Sequence, residues 1–317
     1  LVDHPSGRRL FDLSITQSLP VDARMNAKGC YDWQPGPGRI DPASFMVADT
    51  RVLGKDAVEF ALLAQTSAGD VRAEIKAVGD GGGEVIFYVT LRNLTKDRFL
   101  KTTLRGPILE NLDIGNDSWY FFPRGRCTLG TKPCRFSTFH GQYAWVQCMG
   151  AWGKDTGLVL SVVPLEHEAQ PKSFVMQKAG DGAPRLEYTN SGAAPIEADL
   201  LNSKGITQTI CWIDWVLSPR KDAFYGPIAV RVKNGDWRDI YRRYQAYLKT
   251  WWNASAHKKW IRHAYAHANT WPDSANDEKG FVDFVHSFND AVEFWTVRPL
   301  AFGNYLNYNL GVVKQLL

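Results

Sequence analysis

The sequence is poor in the features that usually announce a function. Its 317 residues include only five cysteines, Cys30, Cys127, Cys134, Cys148 and Cys211. An odd number at scattered spacing excludes a dense disulfide framework and supplies no paired thiolates for zinc. Cys127 and Cys134 flank Thr-Leu-Gly-Thr-Lys-Pro, which reads as a hairpin turn. In a secreted or periplasmic protein that pair would be placed for a disulfide; the other reading is two half-buried reduced thiols. No apolar run approaches the roughly 20 residues that a membrane-spanning helix needs. The net charge of +4 is small and evenly spread, which argues against a nucleic-acid partner. There is no phosphate-binding loop, dinucleotide fingerprint, zinc-protease helix or nucleophile elbow, so no cofactor and no metal are expected. The glycines of 79–83 form one turn and no helix follows them, so they are not a phosphate cradle. The chain opens at Leu1 without a leader pattern, and its N-terminus is expected to be trimmed or incomplete.

What is abundant is β pattern and aromatic rings. Short β-favouring runs broken by turn residues fill the first two hundred or so positions. They are Leu10–Ile15, Val58–Gln65, Val71–Val78, Glu84–Leu94, Thr102–Leu109, Cys134–Phe139, Tyr143–Met149, Thr156–Val163, Ser173–Lys178, Arg185–Thr189, Thr207–Val216 and Phe224–Val232. Val85, Phe87, Val89 and Leu91 alternate with mixed residues, as expected of a strand with one buried face. A dozen antiparallel strands require two large packed sheets rather than a small barrel. The 12 Trp, 12 Tyr and 16 Phe suit two ends, filling a large core or stacking on sugar rings.

The first strong helix comes only at Asn234-Gly235-Asp236-Trp237 through Trp252. Trp237, Ile240, Tyr241, Tyr244, Tyr247, Leu248 and Trp251 make a broad aromatic stripe at helical spacing, and Asp236 is placed as its N-cap. Trp237 and Tyr241 are expected to anchor this helix to the sandwich. Beyond a polar connector, Ile261–Ala268 reads as a strand, Phe281–Trp295 as a helix and Pro299–Tyr305 as a second strand, the opening of a parallel α/β unit. The expected organisation is therefore a β-sandwich over 1–233, a linker helix and connector over 234–260, and an α/β segment over 261–317.

This order of features resembles a group of glycoside hydrolases. In that group a galactose-mutarotase-like β-supersandwich precedes a catalytic (β/α)8 barrel, as in endo-α-N-acetylgalactosaminidases and α-galactosidase-like enzymes. The residues that carry the resemblance are Gly235-Asp236-Trp237, Tyr241, Tyr244 and Trp251-Trp252, with Gly106-Pro107-Ile108-Leu109, Trp119–Gly125 and Gly157–Leu160 upstream. The resemblance implies a mainly β supersandwich, then a linker helix and the first units of a barrel. It also implies action on O-glycosidic bonds of a glycan, with a carbohydrate as partner and no membrane. A whole barrel takes about 250 residues, so 261–317 is expected to hold no more than its beginning. The two carboxylates of a glycosidase would lie on later strands, and no catalytic residue is assigned. A carbohydrate-binding sandwich and a mutarotase-like epimerase are the alternatives.

Barrel sites form at the C-terminal ends of strands, which nominates His267, Asn269, Trp271 and Asp273 after the first strand and Asn304 and Tyr305 after the second as substrate-binding residues. Ser274, Asn276 and Asp277 would cap the following helix. Asp214 is read as structural, because alternation places Trp212, Asp214 and Val216 on one face. His140 and His167 have the residue type that an epimerase needs as acid or base, but read as loop histidines.

Overall fold

The structure is a computed structural model that describes residues 9–115, 117–123, 127–139, 146–166, 172–178, 185–187, 205–251, 267–270 and 301–304. The chain divides into two compact units, Leu1–Thr250 and Trp251–Leu317. The first is a mainly β, antiparallel two-sheet sandwich. One sheet contains β1 (Asp12–Pro20), β2 (Gln34–Arg39), β7 (Arg98–Arg105), β8 (Leu109–Leu112), β11 (Cys134–Phe139), β14 (Ser173–Lys178), β15 (Arg185–Glu187) and β16 (Ile206–Leu217). Its order is β15-β11-β14-β16-β7-β1-β2, with β8 also paired to β16; only the short β15–β11 pairing is parallel. The other sheet contains β3 (Phe45–Gly54), β4 (Ala57–Ala64), β5 (Val71–Gly79), β6 (Glu84–Asn93), β9 (Ser118–Phe122), β10 (Thr128–Gly130), β12 (Met149–Gly153), β13 (Leu158–Pro164) and β17 (Asp222–Asn234). Its order is β10-β9-β12-β13-β17-β6-β5-β4-β3.

In each sheet the early strands form one block and the later strands another. β16 joins β14 to β7, and β17 joins β13 to β6. The core lies between the sheets. Phe11 meets Phe87 edge-on at 5.6 Å, Phe136 meets Tyr120 at 5.4 Å and Phe122 at 5.2 Å, and Tyr225 meets Trp212 at 5.7 Å and Trp215 at 5.0 Å. Thr102 Oγ1 lies 3.3 Å from the Tyr225 hydroxyl, so the buried phenol has a polar neighbour.

Several expectations change at the level of single residues. The register of β16 against β7 shifts between Trp212 and Trp215. This bulge lets both tryptophans point into the core, while Val216 turns outward and is 42% exposed. Trp212 and Val216 therefore do not share a face. β2, Gln-Pro-Gly-Pro-Gly-Arg, has the composition of a turn, yet it pairs with β1 at the sheet margin, where proline is tolerated. β3, β9 and β10 are further strands absent from the sequence reading. Cys127 and Cys134 do not flank a hairpin, because β10 pairs with β9 in one sheet and β11 with β14 in the other. The turn at 79–83 is a hairpin, with Asp80 Oδ1 accepting from the Gly82 and Glu84 amides at 2.7 and 2.9 Å.

Helix α1 (Arg238–Trp251) starts as its sequence dictates. The Arg238 amide donates to Asp236 Oδ1 at 2.8 Å, and the Asp236 amide donates to Asp239 Oδ2 at 3.1 Å, a reciprocal capping box. The helix packs on the outer face of the nine-stranded sheet. Ile240, Tyr244 and Tyr247 are buried there with Phe121, Cys148, Val159 and Val163. Trp237 stacks on Phe121 with 6.4 Å between centroids and 14° between planes. Gly150 makes room for the helix: a Cβ there would lie 2.8 Å from Ile240 Cδ1. Arg243 closes the contact with a bidentate pair to Glu84 at 2.5 and 2.7 Å. Tyr241 is not an anchor. It sits roughly 100° round the helix from Ile240, on the rim of the stripe, and is 37% exposed.

The second unit has two described strands, β18 (His267–Thr270) and β19 (Ala301–Asn304), which pair in parallel with His267 opposite Ala301 and Thr270 opposite Asn304. Parallel pairing requires a long crossover between them. The rest of the expected α/β segment lies outside the described residues.

Two outcomes are expected from this packing. Ile240→Ala, at a fully buried site, should destabilise the protein by about 2–5 kcal/mol, and Tyr241→Ala by less than about 1 kcal/mol, in urea unfolding. Equal effects would place the stripe differently. All five cysteines are free thiols, with Cys30 exposed, Cys127 half-buried and the other three buried. Burial raises the Cys134 thiol to about 11 and pushes Cys127 and Cys148 upward as well. Cys30 alone should therefore react rapidly with a thiol reagent in the native protein, the other four thiols appearing after denaturation.

Candidate functional site

A sheet whose inner face is fixed by the core must present its alternate residues outward. On β11, β14 and β16 of the eight-stranded sheet most of those residues are polar, Val175 and Cys211 being exceptions. Opposite Phe136, Phe174, Met176, Ile210 and Trp212 of the core, the strands β11, β14 and β16 carry Ser137, Ser173, Gln177, Thr207 and Thr209 on the other face. All five are buried, between 0% and 2% exposed. Small hydroxyl and amide groups in place of the usual lysines and glutamates distinguish this surface from a solvated sheet face. The Ser137 and Ser173 hydroxyl oxygens are buried without a hydrogen-bond partner among the described residues.

The row continues across β7 and β1 through a charged cluster. Asp12 stands opposite Arg105, and Ser14 opposite Thr103 on one side and Arg39 on the other. Asp12 Oδ1 lies 3.2 Å from Arg39 Nε, and Asp12 Oδ2 lies 3.5 Å from Arg105 Nη1. The Asp12 and Arg105 side chains are 4% and 8% exposed, whereas Arg39 keeps 34%. Buried charge of this kind persists only where opposite charge accompanies it.

Farther along the same strands the surface turns aromatic. Leu19 pairs with Phe99, and Val216 with Lys101, next to the loop that joins β1 to β2. Leu19, Phe99 and Val216, with Tyr31 and Trp33 from that loop, line an open pocket of about 340 Å3. The Lys101 ammonium lies 4.6 Å from the Trp33 ring centroid. The loop is held by Asn26, whose Oδ1 accepts from the Lys28 and Cys30 amides at 3.0 and 3.1 Å and whose Nδ2 donates to Asp32 at 2.9 Å. An asparagine wrapped by its own turn is a local device that needs no core, so it can present two rings at the surface.

No family model and no curated protein matches the chain by sequence. Among solved structures, the chain is similar to the crystal structure of a GalM/aldose epimerase homologue from C. elegans, at 10% identity and a TM-score of 0.43, over 71% of this chain and 82% of that one. It is also similar to a TPR-domain containing protein from Parabacteroides distasonis, at 12% identity and a TM-score of 0.40, over 61% of this chain and 35% of that one. Neither likeness places the chain in a family.

Of the residues nominated from sequence, Asn269 and Asn304 lie at or next to the last pair of the parallel β18–β19 ladder, and His267 lies at its first pair. Trp271, Asp273 and Tyr305 lie outside the described residues, as do His140 and His167. Asp214 lies in the bulge of β16. Sequence reasoning missed Asp12, Arg39, Lys101, Arg105, Tyr31 and Trp33. A signal was present in the β14 and β16 runs, where serine, threonine and glutamine are interspersed among apolar residues. Nothing local marks Trp33 as the neighbour of Lys101, 68 positions away.

Removing one partner of a buried ion pair costs about 3–5 kcal/mol, while a largely exposed pair is worth under about 1 kcal/mol. Asp12→Ala, which takes the carboxylate from both arginines, should therefore lower urea-unfolding stability within the first range, and Arg39→Ala, which leaves Asp12 with Arg105, should cost less than Asp12→Ala. A milder effect at Asp12 than at Arg39 would remove the cluster from the architecture of this face.

Proposed function

We infer that the sandwich is the carbohydrate-recognising part of a carbohydrate-active protein, and that the sugar lies in the Tyr31–Trp33 pocket on the outer face of the eight-stranded sheet. The observation that carries this reading is the pocket itself. Its volume falls at the lower end of the roughly 300–1,000 Å3 typical of small-ligand sites, and its walls are the Tyr31, Trp33 and Phe99 rings, with the Lys101 ammonium against Trp33. Sugar C–H faces stack on aromatic rings, and their hydroxyls exchange hydrogen bonds with ammonium, hydroxyl and amide groups. A galactose-mutarotase-like supersandwich is the fold family proposed for this unit.

The finer reading is a glycoside hydrolase with a barrel after the sandwich. It is supported by the parallel β18–β19 pair, by Asn269 and Asn304 at its C-terminal end, and by the resemblance carried by Gly235-Asp236-Trp237 and Tyr244. In that reading His267, Asn269, Trp271, Asp273, Asn304 and Tyr305 contact substrate, and the acid and nucleophile come from other strands. An epimerase needs a general base and acid facing one sugar carbon. On the described face the buried carboxylate, Asp12, is instead engaged by Arg39 and Arg105, which favours binding over proton transfer there.

Calorimetric titration with a panel of neutral and acidic mono- and oligosaccharides tests the binding reading. At least one ligand should bind, and Trp33→Ala should weaken it about tenfold or more, which corresponds to about 1.4 kcal/mol. Unchanged affinity in Trp33→Ala, with its fold confirmed by circular dichroism, would remove the pocket from the site.

A further inference from the structure

β3 forms the margin of the nine-stranded sheet, paired with β4 on one side and with no strand on the other among the described residues. Nearly the whole strand is open to solvent: Met46, Val47, Val52 and Leu53 are 52%, 67%, 80% and 46% exposed. Val52, with Val58, Ala77 and Val85 of the neighbouring strands, lines a second open pocket of about 340 Å3. An exposed strand edge with apolar residues open to solvent is a template for strand addition.

The charges on β3 specify what it would add. Arg51 Nε lies 2.6 Å from Asp49 Oδ2, and Arg51 Nη1 lies 3.9 Å from Glu59 Oε1. Asp49 and Arg51 lie one on each side of Thr50 on the same face of the strand, between the register shifts at Val47/Asp49 and Val52/Gly54. An antiparallel copy of the same strand, turned about a two-fold axis through Thr50, sets Asp49 against Arg51 of the other copy and Arg51 against its Asp49. Thr50 then meets Thr50, and Ala48 meets Val52. Opposite charges and threonine pairs directly across a ladder are favourable, like charges unfavourable. This short segment is therefore complementary to itself.

We propose that two copies of the chain associate edge to edge through β3, antiparallel about Thr50, to form one sheet continuous across both sandwiches. The contact is isologous and closes after two copies, so it yields a dimer and not a fibre.

Sedimentation equilibrium with paired charge variants tests this. The wild-type chain should show twice the chain mass in a concentration-dependent equilibrium. Asp49→Arg places arginine against arginine at both symmetric positions, and Arg51→Asp places aspartate against aspartate. Each variant alone should raise the dimer Kd by at least about tenfold. Mixed in equal amounts, the two variants regain opposite charges at every position and should associate as the wild type does. Circular dichroism checks that both variants fold. A wild-type chain that is monomeric at every concentration overturns the proposal. So does a dimer indifferent to both substitutions, or two folded variants that fail to associate when mixed.

Discussion

The sandwich depends on two consecutive strands occupying the middle of two different sheets. β16 ends at Leu217, the chain turns over Ser218–Lys221 with Arg220 in the left-handed region, and β17 begins in the opposite sheet. Tyr225 locks this arch, with its ring edge-on to both Trp212 and Trp215. Strict alternation would put tryptophans three residues apart on opposite faces. The bulge between them brings both inward, so an irregularity in one ladder supplies the aromatic contact that joins the sheets.

The two outer faces then diverge in character. On the nine-stranded sheet, Phe121, Val159 and Val163 are apolar and take a helix, which Ile240 seats over Gly150 and Arg243 ties to Glu84. On the eight-stranded sheet the outward positions include hydroxyls, amides and an Asp12-centred ion cluster, with the Leu19, Phe99 and Val216 patch at one end. Apolar outward residues seat a helix, and the hydrogen-bonding ones form a buried polar layer. The division follows from which residue types occupy the outward positions of each strand.

Much of the architecture could be read from the sequence wherever a local rule acts alone. Alternation located most of the central strands, the Asp80 turn marked a hairpin, and Asp236 with Trp237 marked the helix start. Margin strands were harder, because they bury little and need no apolar pattern; β2 is Pro-Gly-rich, and β3 is mixed. Bulges at Trp212–Trp215 and Ile15–Gln17 reverse faces by inserting residues, which no periodicity count registers. The cysteines misled because the six residues between Cys127 and Cys134 cross between sheets instead of turning within one. The pocket residues were out of reach, since Trp33 and Lys101 meet only through strand pairing.

The central placement of β16 and β17 also governs how such a chain can be made. Strands up to β7 and strands from β9 to β15 form two blocks, each holding a share of both sheets. A chain emerging from the ribosome completes the first block, then the second, with bare edges at β6, β7, β13 and β14. Neither sheet closes until residues 206–234 arrive and slide between the blocks, and only then can Arg243 find Glu84, 159 positions earlier. Long-range closure of this kind is slow, and the waiting edges are open to wrong pairing. The exposure of those edges during synthesis is therefore imposed by strand order itself, set by the position of the last two strands rather than by the stability of the finished sandwich.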